Sequence, residues 1–223
     1  MIDLLIRGAM VFDGSGAPGR VADVAIDGGR IVALHARDHE KSTEPRAASR
    51  TSLAGAATDL PAARETVEAA GLALMPGIVD NHTHYDAQVT WDPACSPSPA
   101  LGVTTAVIGN CGFTIAPCRP DDRELIMRNL TQVEGMSLDV LRQGIDWQFE
   151  TIPEYLDFLE RRGALVNLAA FVGHSSLRTF VMGADAAKRA ATPDEVGRMR
   201  SLLLEGMQAG AVGFATSTSP AHN

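Results

Sequence analysis

The strongest constraint on the fold is a rhythm that begins at Gly71. Short apolar runs rich in β-branched residues alternate with polar loops and amphipathic stretches. The runs lie at residues 74–80, 103–108, 165–172 and 211–216 and read as strands. Two helices between them carry their own start signals. Thr151-x-x-Glu154 opens a stretch with Tyr155, Leu156, Phe158 and Leu159. Thr192-x-x-Glu195, with Pro193 at the first helical position, opens another with Val196, Met199, Leu202, Leu203 and Met207, stopped by Gly210. In both, a threonine hydroxyl can satisfy a free backbone N–H while the glutamate reaches back to the cap. Strands alternating with helices build parallel βα units, so the class is α/β.

Before Gly71 the pattern differs. Residues 2–7 and 10–12 read as short strands broken at Gly8, and Asp13-Gly14-Ser15-Gly16 is turn chemistry. Residues 21–26 and 30–34 form a hairpin around Asp27-Gly28-Gly29, and 66–69 return as a strand. Residues 39–65 are polar, rich in Ala, Ser and Thr, without a period, and are expected to be a surface excursion. His35 and His39, at its mouth, read as solvated histidines.

Residues 75–86 carry the most chemistry, running Met-Pro-Gly-Ile-Val-Asp-Asn-His-Thr-His-Tyr-Asp. In a strand, positions two apart share a face, so His82 and His84 project together while Thr83 points the other way. On a helix the two rings would lie roughly 200° apart. A His-x-His pair leaving a buried strand is a pincer for one divalent ion. The alternative is a pair of solvated loop histidines.

Three segments carry a resemblance. Pro76-Gly77-Ile78-Val79-Asp80-x-His82-x-His84 is followed by Gly102-Val103-Thr104-Thr105 leading into Gly109-Asn110-Cys111-Gly112, then by Val172-Gly173-His174-Ser175-Ser176-Leu177-Arg178. Together they resemble the N-acyl-D-amino-acid deacylase (D-aminoacylase) branch of the amidohydrolase superfamily. The resemblance implies a metal-dependent TIM-like (β/α)8 barrel set into a small β-sandwich made from both chain ends. Residues 1–70 would be the N-terminal part of the sandwich, and residues 71–223 the first half of the barrel, through strand four. An eight-stranded barrel typically takes ~250 residues, so the expectation is a chain that is part of a longer enzyme and inactive by itself.

Barrel sites lie at the carboxyl ends of the strands. His82 and His84 follow the first strand, Cys111 the second, His174 the third, and Thr216 and Ser217 the fourth. The resemblance assigns Cys111 as a metal ligand beside His82 and His84, with zinc, one or two divalent ions, as cofactor; a packed thiol is the alternative. It places His174 near substrate, whereas the residue alone reads equally as a core histidine. Two further histidines and a proton-shuttling aspartate would lie beyond Asn223. The implied reaction is hydrolysis of an N-acyl-D-amino acid by metal-activated water. Asp86 could orient an imidazole or face solvent, and Asp80 has a structural or supporting role. Arg119, Arg123 and Arg128 could meet a substrate carboxylate or be ordinary exposed charges. Cys95 and Cys118 read as structural.

Composition narrows the partners. A net charge of −8 over 223 residues argues against nucleic acid or an anionic membrane. The longest apolar runs fall far short of the ~20 residues of a membrane span, and the N-terminus lacks a signal-peptide pattern. Three cysteines without framework spacing favour a reducing compartment, by default the cytoplasm. Expected partners are a small N-acyl amino acid and the C-terminal half of the same protein. Two other readings stand beside the deacylase: an amidohydrolase acting on a cyclic amide or other acyl derivative, and a non-catalytic fragment or interaction piece. A structural zinc module fits poorly, because His82, His84 and Cys111 lack the paired spacing of such sites.

Overall fold

The structure, a computed structural model, describes residues 1–37 and 61–218. The chain divides into two compact units, Met1–Pro76 and Gly77–Asn223.

Among the described residues, the first unit is one five-stranded sheet. β1 (Ile2–Val11), β2 (Arg20–Asp27) and β3 (Arg30–Ala36) run antiparallel, with Leu5 opposite Ala25 and Val24 opposite Leu34. β4 (Ala63–Glu68) and the two-residue β5 (Ala73–Leu74) both pair parallel with β1. Gly8 does not break β1; the register shifts there, a bulge whose freed Gly8 N–H donates to the buried Asp23 carboxylate at 2.7 Å. Arg37 donates to the same carboxylate, also at 2.7 Å. Most of the expected excursion at 39–65, His39 included, lies outside the described residues. Its last three positions, 63–65, belong to β4 instead.

The second unit is a four-stranded parallel sheet in simple sequential order: β6 (Ile78–Asp80), β7 (Val103–Ile108), β8 (Asn167–Gly173) and β9 (Gly213–Ala215). The run expected as a single strand over 74–80 is thus divided. Leu74 pairs with Val11 in the first sheet, and only Ile78–Asp80 enters the second. Five helices accompany the strands: α1 (Arg123–Glu134), α2 (Leu138–Gly144), α3 (Ile152–Arg162), α4 (His174–Met182) and α5 (Pro193–Gln208). The main core joins Ala106, Ile108 and Ala170 of the sheet to Ile126 and Leu130 of α1 and Tyr155 and Phe158 of α3. A second core packs Val172 with Leu177 and Val181 of α4 and Met199 of α5. Of the apolar residues of α5, Val196 and Met207 are exposed while Met199 is buried, because the contacts of that helix are with α3, α4 and β8.

Both capping boxes form as expected. The Glu154 N–H donates to Thr151 Oγ1 at 3.3 Å, and Glu154 Oε2 accepts the N–H groups of Thr151 and Glu150, each at 2.9 Å. Replacing Thr151 by alanine is expected to cost about 1 kcal/mol, read as a lower denaturation midpoint with an unchanged m-value. A loss below a few tenths would mean that packing of Tyr155 and Phe158 alone fixes the start of α3.

Candidate metal centre

His82 and His84 lie just past β6 in irregular chain, yet the strand logic persists. The Thr83 N–H donates to the Val107 carbonyl at 3.1 Å and its hydroxyl to the same oxygen at 2.8 Å. Thr83 is buried, so the two flanking imidazoles turn to the other side, with ring centroids 5.3 Å apart. Cys111 sits in a short turn after β7. Its Sγ lies 3.3 Å from His82 Nε2. One donor atom from each of His82, His84 and Cys111 falls within 4.8 Å of the others, and His82 is the most exposed of the three.

The Cys111 turn is held tightly. The Asn110 side-chain amide donates to the carbonyls of Val107 (2.8 Å) and Thr83 (3.3 Å), tying the turn to the residue between the two histidines. The Gly109 N–H donates to Asp86 Oδ2 at 2.9 Å. Asp86 therefore neither orients an imidazole nor faces solvent; it is buried and braces the backbone from which Cys111 projects. Burial pushes its carboxyl up to about 7, with the Gly109 N–H opposing that shift. Tyr155 donates its hydroxyl to the Asp86 carbonyl at 3.0 Å, carrying the brace to α3. Cys111 itself has φ +56°, a left-handed conformation costly for a side chain with a Cβ.

The donor set suits a zinc-like ion. Two imidazoles and a thiol are borderline-soft ligands, and burial, with His82 nearby, lowers the His84 pKa and so keeps its ring neutral. Beside this set lies a residue that the sequence reading missed. Glu134, the last residue of α1, brings Oε1 to 3.1 Å from His84 Nδ1. The two atoms are close but off hydrogen-bond alignment, so both are buried without a hydrogen-bond partner. A faint signal was available: Glu134 continues the buried Met127–Leu130 stripe at helical spacing.

His174 begins α4 at the end of β8, and its Nδ1 is 2.9 Å from Thr216 Oγ1 past β9. Its ring meets Phe214 edge-on at 5.8 Å, and burial, then Arg178, lowers its pKa. The Cys111 turn packs against the ends of β8 and β9, so residues after all four strands collect at one end of the sheet. Asp80 Oδ1 accepts the His82 N–H at 3.2 Å. The three arginines have local partners: Arg119 over Phe180, Arg123 over Trp147, and Arg128 with Glu124. Cys95 and Cys118 are buried, with thiols pushed by burial to about 11 and about 12, and are packing groups.

A parallel βα sheet with a His-x-His pair and a thiol converging at its carboxyl end defines the class: an α/β barrel scaffold with a candidate metal site. The amidohydrolase family model matches residues 65–222, and the chain belongs to that family. It is 38% identical over 216 residues to an N-acyl-D-aspartate deacylase of Alcaligenes xylosoxydans xylosoxydans, covering 97% of this chain and 36% of that protein. Among solved structures, a D-aminoacylase studied for the functional role of its binuclear metal centre superposes with TM-score 0.72 at 32% identity, over 100% of this chain and 40% of that one. An N-acyl-D-glutamate deacylase from Bordetella bronchiseptica, complexed with zinc and a phosphonate mimic of the tetrahedral intermediate, gives TM-score 0.69 at 30% identity, over 96% and 38%. The chain thus spans well under half the length of the relatives it matches.

Proposed function

We propose that the protein carrying this chain is a metal-dependent hydrolase of N-acyl-D-amino acids, with His82, His84 and Cys111 among the ligands of one or two divalent ions, zinc foremost. The observation that carries the reading is the convergence of these three donors within 4.8 Å at the carboxyl ends of two parallel strands. Relatives that deacylate N-acyl-D-amino acids, one of them complexed with zinc, support the substrate and the metal. When bound, such an ion acidifies water to a pKa of roughly 7 and polarises the acyl carbonyl.

The chain's own residues prepare that site. Burial keeps His84 neutral, and Asp86 and Asn110 lock the turn that presents Cys111. The contacts of His174 with Thr216 and Phe214, at the same end of the sheet as the other donors, support reading it as a substrate contact. Ile78 and Val79 of the edge strand β6 and Phe214 of the edge strand β9 are exposed apolar residues, which supports further barrel strands elsewhere in the protein. The first sheet is read as this chain's share of a β-sandwich, with residues 1–70 in it and 71–223 in the barrel. No helix among the described residues is long and apolar enough to cross a membrane. The three free thiols support our placing the protein in the cytoplasm.

The test is stereochemical. The whole protein is expected to release free amino acid from N-acetyl-D-amino acids at least tenfold faster than from the L-enantiomers. Turnover of cyclic amides with none of either acyl-amino acid would transfer the site to the cyclic-amide reading.

A further inference from the structure

Glu134 stands where a carboxylate is least comfortable. It is the last residue of α1, where backbone carbonyls concentrate partial negative charge, and the last turn of that helix holds no basic residue. It also continues the inward stripe through Met127 and Leu130, so its side chain is only 13% exposed. Burial and the helix end both disfavour a carboxylate here, and a hydrophobic residue would continue the stripe without either cost. What the position gives is reach: Oε1 comes to 3.1 Å from His84 Nδ1.

The two facing atoms are both buried and lack hydrogen-bond partners, which is uncommon for buried polar groups. A small turn of the imidazole would align them. Glu134 is not itself one of the converging donors, which are His82, His84 and Cys111.

We propose that Glu134 is the positioning residue of the centre: it accepts the Nδ1–H of His84, fixing the tautomer that leaves the Nε2 lone pair for the ion. This rests on the metal reading above, and goes beyond it by assigning the outer partner and the ligating nitrogen. Outer carboxylates that hold a ligand imidazole are worth about 10–100-fold in metal affinity. Glu134→Gln keeps an acceptor oxygen and the side-chain shape but removes the charge; Glu134→Ala removes both.

Two measurements on the whole protein test the proposal. In chelator competition for zinc, Glu134→Gln is expected to lose about tenfold in affinity and Glu134→Ala up to about 100-fold. The metal-free thermal midpoint of Glu134→Gln should be equal to or above that of the parent, because a buried carboxylate at a negative helix end has been removed. A merely structural role predicts the reverse, a lower midpoint with unchanged zinc affinity, and would overturn the proposal. Long-range proton–nitrogen NMR of the metal-free protein supplies the second readout. His84 should carry its proton on Nδ1 in the parent and move to the Nε2–H form in Glu134→Ala. An Nε2–H parent, or no change in the variant, also overturns it. If the parent binds no zinc, the metal reading falls by itself, and the His84 tautomer still decides the role of Glu134.

Discussion

Replacing Cys111 by alanine is expected to empty the proposed metal centre while leaving the fold in place. The thiol lies 3.3 Å from His82 Nε2 and is one of only three donors that the described residues bring together. Losing an inner ligand should exceed the ~100-fold upper range for an outer partner, so zinc content and amide hydrolysis in the whole protein should fall together. Alanine keeps the Cβ, hence the same left-handed strain, and the metal-free stability should change little. Glycine gives a sharper contrast. At φ +56° a side chain costs ~1–2 kcal/mol that glycine does not. Cys111→Gly should therefore be about 1 kcal/mol more stable without metal than the parent and equally poor at holding zinc. Cys95, a packed thiol, carries a similar left-handed φ of +51°, so the zinc measurement and not the strain decides the role of Cys111. Metal content unchanged in both variants would leave Cys111 as a packed thiol.

Gly109→Ala should be the most destabilising single methyl addition near the site. Its φ is +83°, and an added Cβ would meet the Phe171 carbonyl oxygen at 2.6 Å and the Thr114 and Phe171 side chains near 3 Å. The nearest atom is strand backbone, which cannot rotate away. Left-handed strain of ~1–2 kcal/mol combines with overpacking of ~1–3 kcal/mol, for a total of about 2–5 kcal/mol. Gly135, just past α1, is the control: its φ is +66° and an added Cβ meets nothing within 4 Å, so alanine there should cost only the backbone strain. The difference between the two denaturation free energies isolates the close approach of the Cys111 turn to β8. Equal losses would show that this approach is looser than 2.6 Å. Since Gly109 also donates to Asp86, the variant should weaken zinc binding as well.

Local chemistry was legible wherever it is settled within a few residues. The boxes at Thr151 and Thr192 close through hydrogen bonds three residues apart, and the hairpin at Gly28-Gly29 needs only its own turn, so both could be read from neighbouring letters. His82 and His84 were also legible, because strand alternation alone puts two rings on one side. The bulge at Gly8 was less so. Gly8 signals a disturbance, but whether it breaks the strand or bulges within it depends on Asp23, fifteen residues away. The division of residues 74–80 could not be read at all: Leu74 and Ile78 are equally apolar, and their separation depends on which neighbouring strand offers free backbone groups.

The sequence by itself determined the α/β rhythm, two of the five helix starts and the shared side of His82 and His84, since each follows from residue type at fixed local spacing, whereas Cys111 entered as a candidate ligand through the family resemblance. Only the tertiary structure decided that Asp86 braces Gly109, that Asn110 clips the Cys111 turn to Thr83, and that Glu134 faces His84. The physical reason is that a carboxylate's letter is the same in water and in a core. A glutamate on a helix is ordinarily a solvated charge, and fifty residues of chain separate Glu134 from His84. What gives it a partner is the packing of α1 against the main core, which carries the end of that helix to the mouth of β6.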